Sequence, residues 1–157
     1  VNDQQFSNVL LGLLAASRAH YLWFHGAHHV TRGVGFEGDH KLYAKIYETY
    51  LAEYDAAAEK AIAAVGERIA DPITVTGAAQ QMLSGMPSPT SMAATGIAAA
   101  GLTLTRSFIS RLEKTRADLN AGNRLSLGMD NFLAQAADDH ETFVYKLGQR
   151  VKVNEAR

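Results

Sequence analysis

Five of the six histidines in this chain of 157 residues precede residue 41: His20, His25, His28, His29 and His40. His25, His28 and His29 stand at i, i+3 and i+4, so on a helix they share one face. Imidazole is the commonest metal-binding side chain, and a crowd of them points to metal ligation. The plain alternative for any single one is partial burial, with its ring nitrogens satisfied by backbone or water. Further along, Asp55 and Glu59 are four residues apart, which places two carboxylates where one cation can meet both. From His28 through His40 and Asp55 to Glu59 the pattern reads H-x11-H-x14-D-x3-E. The chain has no cysteine, which excludes thiolate metal sites, disulfides and Cys nucleophiles together.

His28 and His40 flank a glycine-containing connection, so both can turn toward one point. His40 and Asp55 are different: along a continuous helix they lie roughly 22 Å apart. No cation bridges that gap within one chain. If the same helix of a second subunit packs antiparallel across a two-fold axis, His40 of one chain arrives beside Asp55 and Glu59 of the other, with the crossing near Glu48.

The elements that must hold these groups are helical. Alanine occurs 26 times, and the three prolines, Pro72, Pro87 and Pro89, fall in one central stretch. Phe6, Leu10, Leu13, Tyr21 or His20, Phe24 and His28 form a stripe of period 3.6 that stops near Thr31-Arg32-Gly33. Asp39 is a natural N-cap for a second helix from His40 to about Val65, closed by Gly66. Tyr43, Tyr47, Tyr50 and Tyr54 give that helix an aromatic stripe suited to core packing or to an interface. Residues 67–89 read as a long connection with one short helix around Ala78 to Leu83. Ser88-Pro89 opens a third long helix to about Asn120, stopped by Gly122, and a fourth runs from about Arg124 to Lys152. The expectation is an all-α four-helix bundle with one long crossover carrying a short helix, as a single domain over residues 1–157.

Fifteen Lys and Arg against sixteen Asp and Glu leave a net charge of -1, which supplies no general attraction to nucleic acid or an anionic membrane. No apolar run reaches the roughly 18 residues of a membrane span, and the first residues lack a charged n-region and cleavage site. A soluble cytoplasmic protein with no membrane association is therefore expected.

The segment His28-His29-Val30-Thr31-Arg32-Gly33, followed by Phe36 and His40 and then by Asp55-Ala56-Ala57-Ala58-Glu59-Lys60, resembles the Dps family of mini-ferritins. That family's pattern is H-W-x-x-R-G-x-x-F-x-x-x-H, then D-x-x-A-E-R after fourteen intervening residues. The likeness is specific over the first two helices and weaker beyond residue 66, where only the layout and the segment from Asp139-His140-Glu141 to Tyr145 are similar. It implies a ferritin-like bundle assembled as a hollow homo-oligomer, a dodecamer. It also implies a ferroxidase site shared across a two-fold axis, with His28 and His40 of one subunit facing Asp55 and Glu59 of its partner. Fe(II) would be oxidised there by peroxide or dioxygen and stored as ferric mineral, protecting against oxidative stress. A mixed imidazole and carboxylate site with open positions suits Fe(II).

Three departures bear on that transfer. Ala44 stands where many members carry an acidic residue one turn after the second His, which weakens the second iron position. His29 replaces the usual Trp and could add a nitrogen ligand, shifting preference toward zinc. The run Gly122 to Gly128 carries a cation and no carboxylate, although Asp118 and Asp130 flank it, so an acidic funnel for iron is thin. Strong DNA binding is not expected: Val1 to Val9 hold no Lys or Arg, and Glu155 interrupts Lys146, Arg150, Lys152 and Arg157 at the other end. A non-enzymatic zinc-binding cage or helical interaction protein with a degenerate site stands as the alternative. A hemerythrin-like bundle, which would draw ligands from all four helices of one chain, fits less well because residues 67–139 contain no histidine.

Overall fold

The computed structural model describes residues 3–152. Val1, Glu155 and Arg157, which belong to the two ends read for nucleic-acid contacts, lie outside them. Five helices follow one another: α1 (Asp3–Val30), α2 (Phe36–Val65), α3 (Pro72–Ser84), α4 (Ala94–Ala121) and α5 (Leu127–Lys152), with single 3-10 turns at Glu67–Ala70 and Pro89–Ser91. The four long helices form the bundle because each carries a seam of buried residues at alternating spacings of three and four. On α5 the seam is Met129, Leu133, Ala136, His140, Phe143 and Leu147. On α2 it is Asp39, Tyr43, Ile46, Tyr50, Glu53, Ala57 and Ala61.

The short connections after α1 and α4 make antiparallel neighbours of α1 with α2 and of α4 with α5. Between the two hairpins the crossover carries α3 against α1. Trp23 of α1 pins that crossover by donating its Nε1–H to the Pro87 carbonyl at 2.7 Å. No helix among the described residues is long and apolar enough to cross a membrane.

Several element boundaries differ from the sequence expectation, each for a local reason. α2 begins at Phe36, one turn before His40, because Gly33 and Gly35 take positive φ and Phe36 N donates to the Gly33 carbonyl at 3.0 Å. Asp39 therefore sits inside the first turn and caps nothing. Its side chain is buried and ion-paired elsewhere. Ser88 does accept a hydrogen bond from Thr90 N, but it caps only the 3-10 turn, and α4 starts six residues later at Ala94. α3 is twice the expected length: Asp71 accepts from Thr74 N at 2.8 Å and Pro72 occupies the first turn, a cap-and-proline signal present in the sequence. α5 starts at Leu127 rather than Arg124, with Ser126 Oγ accepting from Met129 N at 3.1 Å. Of the tyrosine stripe, Tyr43 and Tyr50 are wholly buried in the core, while Tyr47 and Tyr54 are half-buried and pack against it.

Candidate metal centre

A helix leaves its last carbonyls without partners. At the end of α1 the Ala27 carbonyl accepts from Thr31 N, and the His28 carbonyl accepts from His40 Nδ1 at 2.9 Å. The bond is reciprocated: His28 Nδ1 donates to the His40 carbonyl at 2.8 Å. The two rings stack, centroids 3.7 Å apart and planes 22° from parallel. A carbonyl only accepts, so each Nδ1 holds a proton, and in the neutral ring each Nε2 keeps its lone pair. A metal-ligating imidazole is oriented in this way, with the far nitrogen tied to a backbone carbonyl.

The start of α2 is held from the opposite end of the chain. Arg150 near the end of α5 donates from Nε and Nη2 to the two Asp39 carboxylate oxygens at 2.8 and 3.0 Å. Asp39 is 3% exposed, and the fork keeps Arg150 protonated above its usual range. Its guanidinium also lies 3.6 Å from where a Cβ on Gly35 would stand. Arg150 is therefore no part of a solvated basic end; it anchors the residue before His40. Arg150→Gln strands Asp39 without its cation and should cost about 2–3 kcal/mol in an unfolding titration. Coincident unfolding curves for variant and parent would show the fork to be idle.

His29 and His25, one turn apart on α1, face each other with their Nε2 atoms 3.2 Å apart. Partial burial lowers the His25 pKa, and the charges of His29 and His28 lower it further. The His25 ring lies 4.6 Å from the ring of Tyr47, which also touches His28 at 5.3 Å. His20, the earliest of the group, points instead into the bundle core and is 5% exposed.

Asp55 and Glu59 lie on the exposed side of α2, with no hydrogen bond or ion pair among the described residues. The unbroken α2 confirms their separation from His40, and no three His, Asp or Glu side chains converge on a metal-sized point among the described residues. Midway along the α1–α2 hairpin, Leu22 and Leu51 are each 38% exposed. This outer face thus runs from histidines at one end, past two open leucines, to unpaired carboxylates at the other. Ala44 sits half-buried one turn after His40. Around the Gly122 to Gly128 turn both flanking aspartates are already paired, Asp118 with Lys114 and Asp130 with Arg116, and Arg124 pairs with Asp3.

Sequence reading missed a polar layer inside the bundle. His140 of α5 is fully buried, and its Nε2 lies 2.8 Å from Glu53 Oε2 of α2, itself 7% exposed. Glu53 Oε1 and His140 Nδ1 are buried with no hydrogen-bond partner among the described residues. Burial raises the Glu53 pKa, and the bond to His140 partly reverses the shift. The signal was available: each residue is a polar member of a largely apolar seam.

No family model matches this chain, and no curated protein matches it. Solved structures do. An archaeal Dps homologue from Halobacterium salinarum is 16% identical with a TM-score of 0.78, over 99% of this chain and 83% of that one. Dps from Thermosynechococcus elongatus is 18% identical with a TM-score of 0.79, over 93% and 89%. Dps from Mycobacterium smegmatis is 20% identical with a TM-score of 0.73, over 94% and 82%. The chain has the Dps-like, ferritin-like four-helix fold.

Proposed function

We propose that this chain is a mini-ferritin. It binds Fe(II) between two-fold-related copies, oxidises it with peroxide or dioxygen, and stores the ferric product inside a hollow oligomer, a dodecamer. The reciprocal hydrogen bonds of His28 and His40 carry the reading. A pair of buried structural histidines has no need of two free Nε2 lone pairs at one exposed helix turn. The unpaired Asp55 and Glu59 supply the complementary carboxylates, and the fold likeness supports the family assignment.

In this reading His28 and His40 belong to one subunit, Asp55 and Glu59 to the other, and Leu22 and Leu51 are covered where the two hairpins cross. With peroxide, two Fe(II) each give up one electron while peroxide takes two protons and leaves as water. With dioxygen the same two electrons yield peroxide. The carboxylates favour the ferric product, whose higher charge they neutralise.

Ala44 removes one fixed donor, so one cation per site should bind tightly and the second at least about tenfold more weakly. Zn(II), which outranks Fe(II) at mixed imidazole and carboxylate sites, should inhibit oxidation at low stoichiometry. Anaerobic calorimetric titration of the assembled particle, with its mass measured on the same sample, checks this. Ala44→Asp should tighten the second position. Two equally tight cations in the parent protein, with no gain on Ala44→Asp, would count against the assignment. Tight Zn(II) binding without accelerated Fe(II) oxidation would favour the zinc-cage alternative.

A further inference from the structure

His25 and His29 stand outside the four residues assigned to iron, and their geometry is of another kind. Where His28 and His40 each turn one ring nitrogen to a backbone carbonyl, His25 and His29 turn Nε2 toward Nε2, at 3.2 Å. One ring must donate its N–H to the lone pair of the other, so a single proton occupies the gap between two nitrogen donors. Two metal–nitrogen bonds of about 2.0–2.1 Å span about 3.3–3.4 Å at the tetrahedral angle and about 2.8–3.0 Å at a right angle. The observed separation lies between them. The spacing i, i+4 keeps both rings on one face of α1, the arrangement by which a single helix chelates a metal through two histidines.

We infer that His25 and His29 form a second cation site, distinct from the iron site, that takes a borderline first-row divalent ion, Cu(II) foremost and Zn(II) next. The donors are two neutral imidazoles with no carboxylate partner among the described residues, a set that ranks Cu(II) and Zn(II) well above Fe(II), Mn(II) and Mg(II). Water fills the remaining positions. The ion replaces the shared proton, which moves to Nδ1 of the same ring, so the tautomer changes and the pair releases no net proton. The ring of His29 lies 5.1 Å from that of His28, and Tyr47 packs against both His25 and His28. A cation held here is thus a close neighbour of the iron site and not a member of it. The inference stands whether or not the chain oxidises iron.

The test compares the assembled parent protein with His25→Gln/His29→Gln and with His29→Gln alone. Cu(II) binding is measured by competition with a chelator of known affinity, and the bound ion is read by electron paramagnetic resonance. The parent should hold one more Cu(II) per chain than the double variant, with two imidazole nitrogens in its spectrum, and Zn(II) should compete for that position only in excess. His29→Gln should weaken it at least about tenfold, or roughly 1.4 kcal/mol. Equal Cu(II) number and affinity in parent and double variant would overturn the inference. So would a parent spectrum with only one imidazole nitrogen at this ion, a readout that needs no variant to fold. Copper number and the two-imidazole spectrum are read with no Fe(II) present, so loss of the iron reading and loss of this site are separately visible.

Discussion

Fe(II) oxidation should fall at least about 100-fold in His40→Ala and in Asp55→Ala, each assembled alone, because under the proposed assignment each removes a direct ligand from every site. Particles assembled from an equal mixture of the two mutants should recover about a quarter of the parent activity. The arithmetic follows from two-fold symmetry. Random pairing makes half of all dimers mixed, and in each mixed dimer one site loses both its His40 and its Asp55 while the other keeps all four ligands. The structural ground is the unbroken α2, which holds His40 and Asp55 fifteen residues apart on one rigid rod. Neither mutation touches the bundle seam, since His40 is only half-buried and Asp55 is exposed, so both chains should fold and co-assemble. Stopped-flow oxidation on particles of verified mixed composition decides it. No recovery above the single mutants would mean that each site is built within one chain.

Acid should weaken the fold through His20. Its ring is packed beside Tyr50 and Phe108, with Nδ1 2.7 Å from the Ala16 carbonyl and Nε2 3.2 Å from that of Leu104. Burial pulls its pKa down to about 4; the two carbonyls resist the shift, while the charges of His140 and Arg111 add to it. The unfolded chain takes up this proton near pH 6.5, whereas the folded one resists until about pH 4. Stability present at neutral pH is therefore lost as pH falls through that window, by about 3 kcal/mol, with no further loss below it.

Glu53 in the same layer acts in the opposite sense. Its raised pKa lets the folded state take up a proton before the unfolded one does, which favours folding as pH falls. Comparison of the parent with His20→Leu isolates the histidine. Relative to the parent, the variant should gain about 3 kcal/mol of unfolding free energy between pH 7 and pH 4. Profiles that stay parallel over that range would show that His20 is not held neutral.

The helices were legible in the linear sequence, because apolar spacing of three and four is a one-dimensional signal that α2 and α5 simply realise. The separation of His40 from Asp55 was legible too. It needs only the helix rise and the two positions, and the unbroken α2 realises it. The tyrosine stripe was half legible: its period marked a buried face, but only packing separated the fully buried Tyr43 and Tyr50 from the half-buried Tyr47 and Tyr54.

Partner choice by polar groups was not legible. Asp39 has the composition of an N-cap, yet it meets Arg150 from 111 residues away. Glu53 and His140, 87 residues apart, pair inside the core. His25 and His29 face each other, while His28, between them in sequence, turns to the carbonyl of His40. A periodic apolar stripe is encoded locally and survives any arrangement of neighbours. A carboxylate or imidazole takes whichever donor, acceptor or charge the folded chain brings within about 3 Å. That distance is fixed by how the two hairpins pack and by where each loop ends, so the helices could be read from the sequence and the site's hydrogen bonds were decided only by the tertiary structure.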